Sequence, residues 1–154
     1  MMHLPKEPAM PVIFTDDAEI ERVGRGLLDR SLPKVEWTHA AHFGAVLWLL
    51  RERGEHDVTA AMANWIRRYN EVTGVANTDT SGYHETITIA SIRAARSVLA
   101  AHGEGVPLRE VANVLLAGEL GRSDWLLRYW SRPRLFSPEA RRRWIAPDVA
   151  ELPY

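Results

Sequence analysis

The sequence predicts an all-α fold: a single-domain helical bundle of four main helices plus short C-terminal helices. Three observations carry this expectation. Apolar residues recur at spacings of three and four through most of the 154 residues, the period of a helix with one buried face. No segment alternates apolar and polar residues as a half-buried strand does. Capping residues and Gly or Pro stops cut the chain into helix-length pieces with short connections, which favours antiparallel neighbours.

The elements follow in order. Residues 1–13 hold three of the nine prolines and read as an extended N-terminal arm. The helical domain spans residues 14–145. Its first helix lies in TDDAEIERVGRGLLDRSLP, with Thr15 or Asp16 as N-cap, acids in the first turn and Pro33 as the stop. The second lies in WTHAAHFGAVLWLLRERG, capped by Thr38, with Trp37 placed to staple its first turn. Its apolar residues cover much of the circumference, so it reads as the central helix. The third lies in HDVTAAMANWIRRYNEVTG, with Asp57 as cap and Gly74 as end. The fourth runs from about Gly82 to His102 and is rich in alanine, which suits close helix–helix approach.

VPLREVANVLLAGELG gives a fifth helix, with Pro107 near its first position and Gly121 at its end. SDWLLRYW reads as a short sixth helix capped by Ser123. SPEARRRW reads as a last one, with Ser137 as N-cap and Pro138 in the first turn. Residues 146–154 read as a non-regular C-terminal tail packing on the domain.

Composition narrows the function classes. The chain is 46% apolar and 25% charged, ordinary for a soluble globular protein. Its net charge of -1 gives no electrostatic case for nucleic-acid binding. There is no cysteine, which removes disulfides, thiolate metal sites and a thiol nucleophile. The opening residues contain no continuous apolar run of the kind a signal peptide needs. The longest apolar run, FGAVLWLL, is too short to cross a bilayer. The expectation is a cytoplasmic protein with no membrane partner and a possible homodimer.

One stretch, NTDTSGYHETITIA, bears on function. If helices two, three and four run up, down and up, the starts of helices two and four lie at one end. His39 and His42 then approach His84 and Glu85, with Tyr69 and the loop from Asn77 arriving there too. His39 and His42, three apart, share a helical face at roughly 5–6 Å between Cβ atoms. His84, Thr88 and Ser91 form a polar stripe down helix four.

Three readings stay open. In the first, His39, His42 and His84 bind a divalent metal such as zinc, iron or nickel. Glu85 is then a further ligand or general base, and Tyr83 and Thr88 orient a substrate. In the second, the same end binds a small polar or acidic molecule without metal, with Thr88, Trp37, Tyr69 and Asn77 as ligand-binding residues. In the third, the histidines are structural and the protein is a ligand-sensing or protein-interaction module. RRRW at residues 141–144 reads as a solvated cluster that pairs with acids. Arg141 or Asp148 is placed to close the site.

EWTHAAHFGAVLWLL, GYHETITIA and YWSRPRLFSPEARRRWIAPDVAELP together resemble a family of small bacterial all-helical proteins. Its members share an aromatic-Thr-His-x-x-His opening, a Tyr-His-Glu-Thr-x-Thr helix start and a Ser-Pro-x-Ala-Arg ending with Pro-Asp. The signature matches here at Trp37, Thr38, His39, His42, Tyr83, His84, Glu85, Thr86 and Thr88. In the tail it matches at Ser137, Ala140, Arg141, Pro147 and Asp148. The resemblance implies a helical fold; it implies neither an activity nor a metal.

Overall fold

The computed structural model describes residues 12–154, so most of the expected N-terminal arm lies outside the described residues. Helices account for the regular structure, and no strand occurs among the described residues. Five helices have ten residues or more: α1 (Asp17–Asp29), α2 (His39–Arg53), α3 (Glu55–Val72), α4 (Glu85–Ala100) and α5 (Leu108–Ala117). Two short ones follow, α6 (Arg132–Leu135) and α7 (Pro138–Arg142). Single 3₁₀ turns sit at Lys34–Glu36, Glu119–Gly121 and Trp125–Arg128.

α2 is the central helix, as its sequence pattern predicts. It packs against α1, α3, α4 and α5, and its residues from Phe43 to Leu50 are all buried. Such a helix has no solvent face, so its apolar residues need no amphipathic period. α1 lies closest against it. Gly24 makes this approach possible, because a Cβ there would stand 2.2 Å from the Trp48 ring. α4 also packs against α2 and carries Ala90, Ala94 and Ala95, all fully buried. α5 packs against α1, α2 and α4, so it belongs to the bundle alongside the first four helices.

Local capping explains the starts that were legible. The Asp16 carboxylate accepts from Glu19 N–H, the Thr38 hydroxyl from Ala41 N–H and the Ser137 hydroxyl from Ala140 N–H. Three expectations need correction. α3 starts at Glu55 rather than at an Asp57 cap, because Gly54 at φ 81° ends α2 and opens α3 in one residue. α4 starts at Glu85, three residues later than expected. Gly82 sits before it in the left-handed region, at φ 77°.

The SDWLLRYW segment is a 3₁₀ turn, not an α-helix capped by Ser123. The Asp124 carboxylate beside it is taken by Arg122, and its amides bond three residues back, as in Leu127 N–H to Asp124 carbonyl.

Two long-range links hold the ends of the domain. The Asp17 carboxylate, in the first turn of α1, accepts from Leu108 and Arg109 N–H and so caps α5 across the fold. The Asn113 side chain receives Ile13 and Phe14 N–H and donates to Phe14 carbonyl, pinning the segment before α1. The tail has no regular structure, and Leu152 and Tyr154 lie against the core. No helix of the described residues is long and apolar enough to cross a membrane.

Candidate functional site

The first two turns of α2 and of α4 face a common cleft. Its volume is about 320 Å³. α2 contributes His39, His42, Phe43 and Val46; α4 contributes Ile87, Thr88 and Ser91; α3 contributes Met62 and Ile66. Trp37, just before α2, and Ser123, Trp125 and Leu126 around the third 3₁₀ turn complete the wall. The convergence of the α2 and α4 starts is the arrangement that antiparallel packing of α2, α3 and α4 predicts.

His42 contributes an imidazole to this wall. Its ring lies over Trp37, with centroids 3.8 Å apart and planes 32° from parallel. Its Nδ1 stands 2.6 Å from the Thr38 carbonyl oxygen. A carbonyl can only accept, so Nδ1 carries the proton and Nε2 carries the lone pair. Nε2 has no protein partner among the described residues. The residue is exposed and lines the cleft, while the protein crowds the ring from within. That crowding, partly opposed by the Thr38 bond and aided by His39, pushes its pKa down to about 4.

His39 is oriented in the opposite sense. Its Nε2–H donates to the Leu120 carbonyl at 2.7 Å, which leaves the lone pair on Nδ1. Its ring meets Phe43 edge-on at 5.3 Å. Thr88 and Ser91 donate their hydroxyl protons to the carbonyls one turn back, at His84 and Ile87. Trp125 is buttressed from behind by Tyr129 and Tyr154, both edge-on to its ring. Those two phenols donate to the Glu119 carboxylate.

The remaining expected site residues lie outside the wall. His84 is buried and is the N-cap of α4: its Nδ1 accepts from Ile87 N–H, and its Nε2–H donates to Leu135 carbonyl at 2.7 Å. Both nitrogens are thereby used, and burial lowers its pKa. Tyr83 donates to Glu85 at 2.5 Å and lies beneath the Arg67 guanidinium. Burial and that carboxylate together raise its pKa. Tyr69 is buried behind Trp37 and donates to Leu32 carbonyl. Asn77 organises its loop, accepting from Asn70 and Tyr83 N–H and donating to Arg67 carbonyl. Of the nine residues expected at the site, the cleft wall gathers Trp37, His39, His42 and Thr88. Among the described residues no three His, Asp or Glu side chains cluster closely enough to hold a metal ion.

Arg141 and Asp148 do not close the cleft. Arg141 donates to the Gly82 carbonyl, and Asp148 accepts from Ser131 N–H and hydroxyl. Arg142 and Arg143 pair with Asp79 and Glu139, so the basic cluster is matched by acids. Thr86, which sequence reasoning did not assign to any contact, joins α4 to the segment that follows α7. Its buried hydroxyl donates to Arg143 carbonyl and accepts from Ile145 N–H.

No family model, curated protein or solved structure matches the chain.

Proposed function

We propose that the cleft is a binding site for a small organic molecule, held by apolar walls and anchored at His42. The observation that carries this reading is an oriented imidazole, with Nδ1 tied to Thr38 and Nε2 left unbonded by the protein, in the wall of a mostly apolar recess. Ligand pockets typically combine such a recess, roughly 300–1,000 Å³ in volume, with a few placed polar groups. If the site is catalytic, the unprotonated nitrogens of His39 and His42 are the cleft groups that can accept a proton, and His42 does so only weakly at its lowered pKa. Tyr83, Glu85 and His84 then act from behind, by fixing the start of α4 that presents Thr88.

The test is binding of Nile red, an uncharged environment-sensitive dye, followed by its emission. Blue-shifted, saturable emission that Ser91→Phe and Ile66→Trp both abolish supports the reading, since each variant fills the recess. Absence of saturable binding, or binding indifferent to both variants, contradicts it.

A second reading keeps the metal. His39 and His42 each donate one ring N–H to a backbone carbonyl, the arrangement that orients metal-ligating imidazoles. A zinc, iron or nickel ion would then rest on two imidazoles and take its other ligands from water or substrate. Elemental analysis of protein purified without chelator tests this. Stoichiometric metal lost in His39→Ala and His42→Ala but kept in His84→Ala supports it.

A further inference from the structure

The protons of four polar groups in the cleft wall can be assigned one by one, and they leave those groups as acceptors. His42 spends its N–H on Thr38 carbonyl, and His39 spends its own on Leu120 carbonyl. Thr88 spends its hydroxyl proton on His84 carbonyl, and Ser91 on Ile87 carbonyl. Each of these groups has only lone pairs left to offer a bound molecule. The exceptions are the Trp37 indole N–H and the Ser123 hydroxyl, the latter on an exposed residue.

The wall also lacks charge. None of its thirteen residues is Lys, Arg, Asp or Glu. A carboxylate or phosphate entering the cleft would surrender hydration and meet mostly lone pairs, with the Trp37 N–H and the Ser123 hydroxyl as the side-chain donors of the wall. An organic ammonium would find acceptors but no counter-charge, and the positive starts of α2 and α4, which favour an anion, would oppose it. Five of the thirteen residues carry flat rings: Trp37, His39, His42, Phe43 and Trp125. Flat walls favour a flat ligand, through offset stacking and edge contacts.

Taking the cleft as a ligand site, as proposed above, we infer that it selects uncharged aromatic molecules bearing an O–H or N–H donor, which His42 Nε2 accepts. A phenol or an indole has this chemistry; an aromatic acid does not. The inference runs against the acidic ligands expected from the sequence, because His39, His42, Thr88 and Ser91 present lone pairs to a carboxylate and no wall residue is cationic.

Three probes of one shape test the inference: naphthalen-2-ol, naphthalene and naphthalene-2-carboxylate, titrated by calorimetry at pH 7.5. The expected result is that naphthalen-2-ol binds at least ten-fold more tightly than either of the others. His42→Phe, which keeps a ring over Trp37 but has no lone pair, should abolish that preference. His42→Gln, which restores an acceptor, should retain part of it, and circular dichroism establishes that both variants are folded. Equal binding of naphthalene and naphthalen-2-ol overturns the donor rule while leaving the cleft as a ligand site. Tighter binding of the carboxylate overturns the polarity argument. Binding of none of the three, with Nile red also unbound, overturns both this inference and the reading beneath it.

Discussion

Trp37 lies over His42, with ring centroids 3.8 Å apart, while the same imidazole is tied by Nδ1 to the carbonyl of Thr38. Stacking fixes the plane of the ring and the hydrogen bond fixes its tautomer. Together they aim one lone pair without help from a second histidine.

The first prediction removes the stack. Trp37→Ala admits water to the covered face of His42 and so reduces its desolvation. The His42 pKa should rise from about 4 toward the ordinary value of 6.5. An NMR titration of the imidazole Cε1 proton measures this. An unmoved pKa would assign the depression to other neighbours.

Acid should loosen the fold earlier than carboxylates alone would require. His42 and His84 both have folded pKa values below 6.5. Between 6.5 and the lower folded values, the unfolded chain binds protons that the native protein refuses, so falling pH favours unfolding. The Tm should decline as pH drops from 7 toward 4.5, and His42→Phe should flatten part of that decline. Below this window the paired acids Glu36 and Asp79, held below their ordinary range by Arg22 and Arg142, add their own loss. A Tm constant between pH 7 and 4.5 would contradict the neutral, buttressed histidines.

His84 should matter to stability and little to binding. His84→Ala removes an N-cap and leaves the Leu135 carbonyl without its donor, for a loss of about 2–4 kcal/mol. His84→Asn should recover about 1 kcal/mol by restoring the cap. Urea denaturation measures both. Dye affinity of the folded fraction should stay within about two-fold, which separates a helix cap from a ligand-binding residue.

Thr86→Val replaces a hydroxyl that serves two buried backbone groups, Arg143 carbonyl and Ile145 N–H. The expected loss is about 2–3 kcal/mol, from stranding both partners. Hydrogen exchange should accelerate first at Ile145, and an unchanged rate there would show that the segment after α7 is held by other contacts.

Legibility followed the range of the interactions. The caps Asp16, Thr38 and Ser137 were readable because each bonds an amide three residues on. The pairing of His39 with His42 was readable from helical spacing, and the polar stripe reaching Ser91 hinted at an inward face. His84 was misplaced because α4 starts three residues later than the sequence suggests. As a first-turn residue it would project toward the cleft; as the N-cap it turns back to its own helix amides. Asp17 capping α5 joins residues 91 positions apart, so no local pattern could announce it. The cleft's far wall depends on Trp125 in a 3₁₀ turn, supported by Tyr154 from the tail. An apolar tryptophan reads the same whether it fills a core or lines a recess.

The most direct test of the account is a long-range ¹H–¹⁵N correlation spectrum of the histidine side chains at pH 7, recorded with and without naphthalen-2-ol. The account predicts His42 as a neutral ring protonated at Nδ1, with a bare Nε2 whose resonance shifts upfield as the naphthol proton engages it. A His42 ring protonated at Nε2, or an Nε2 resonance that stays fixed while the naphthol saturates the cleft, would contradict it.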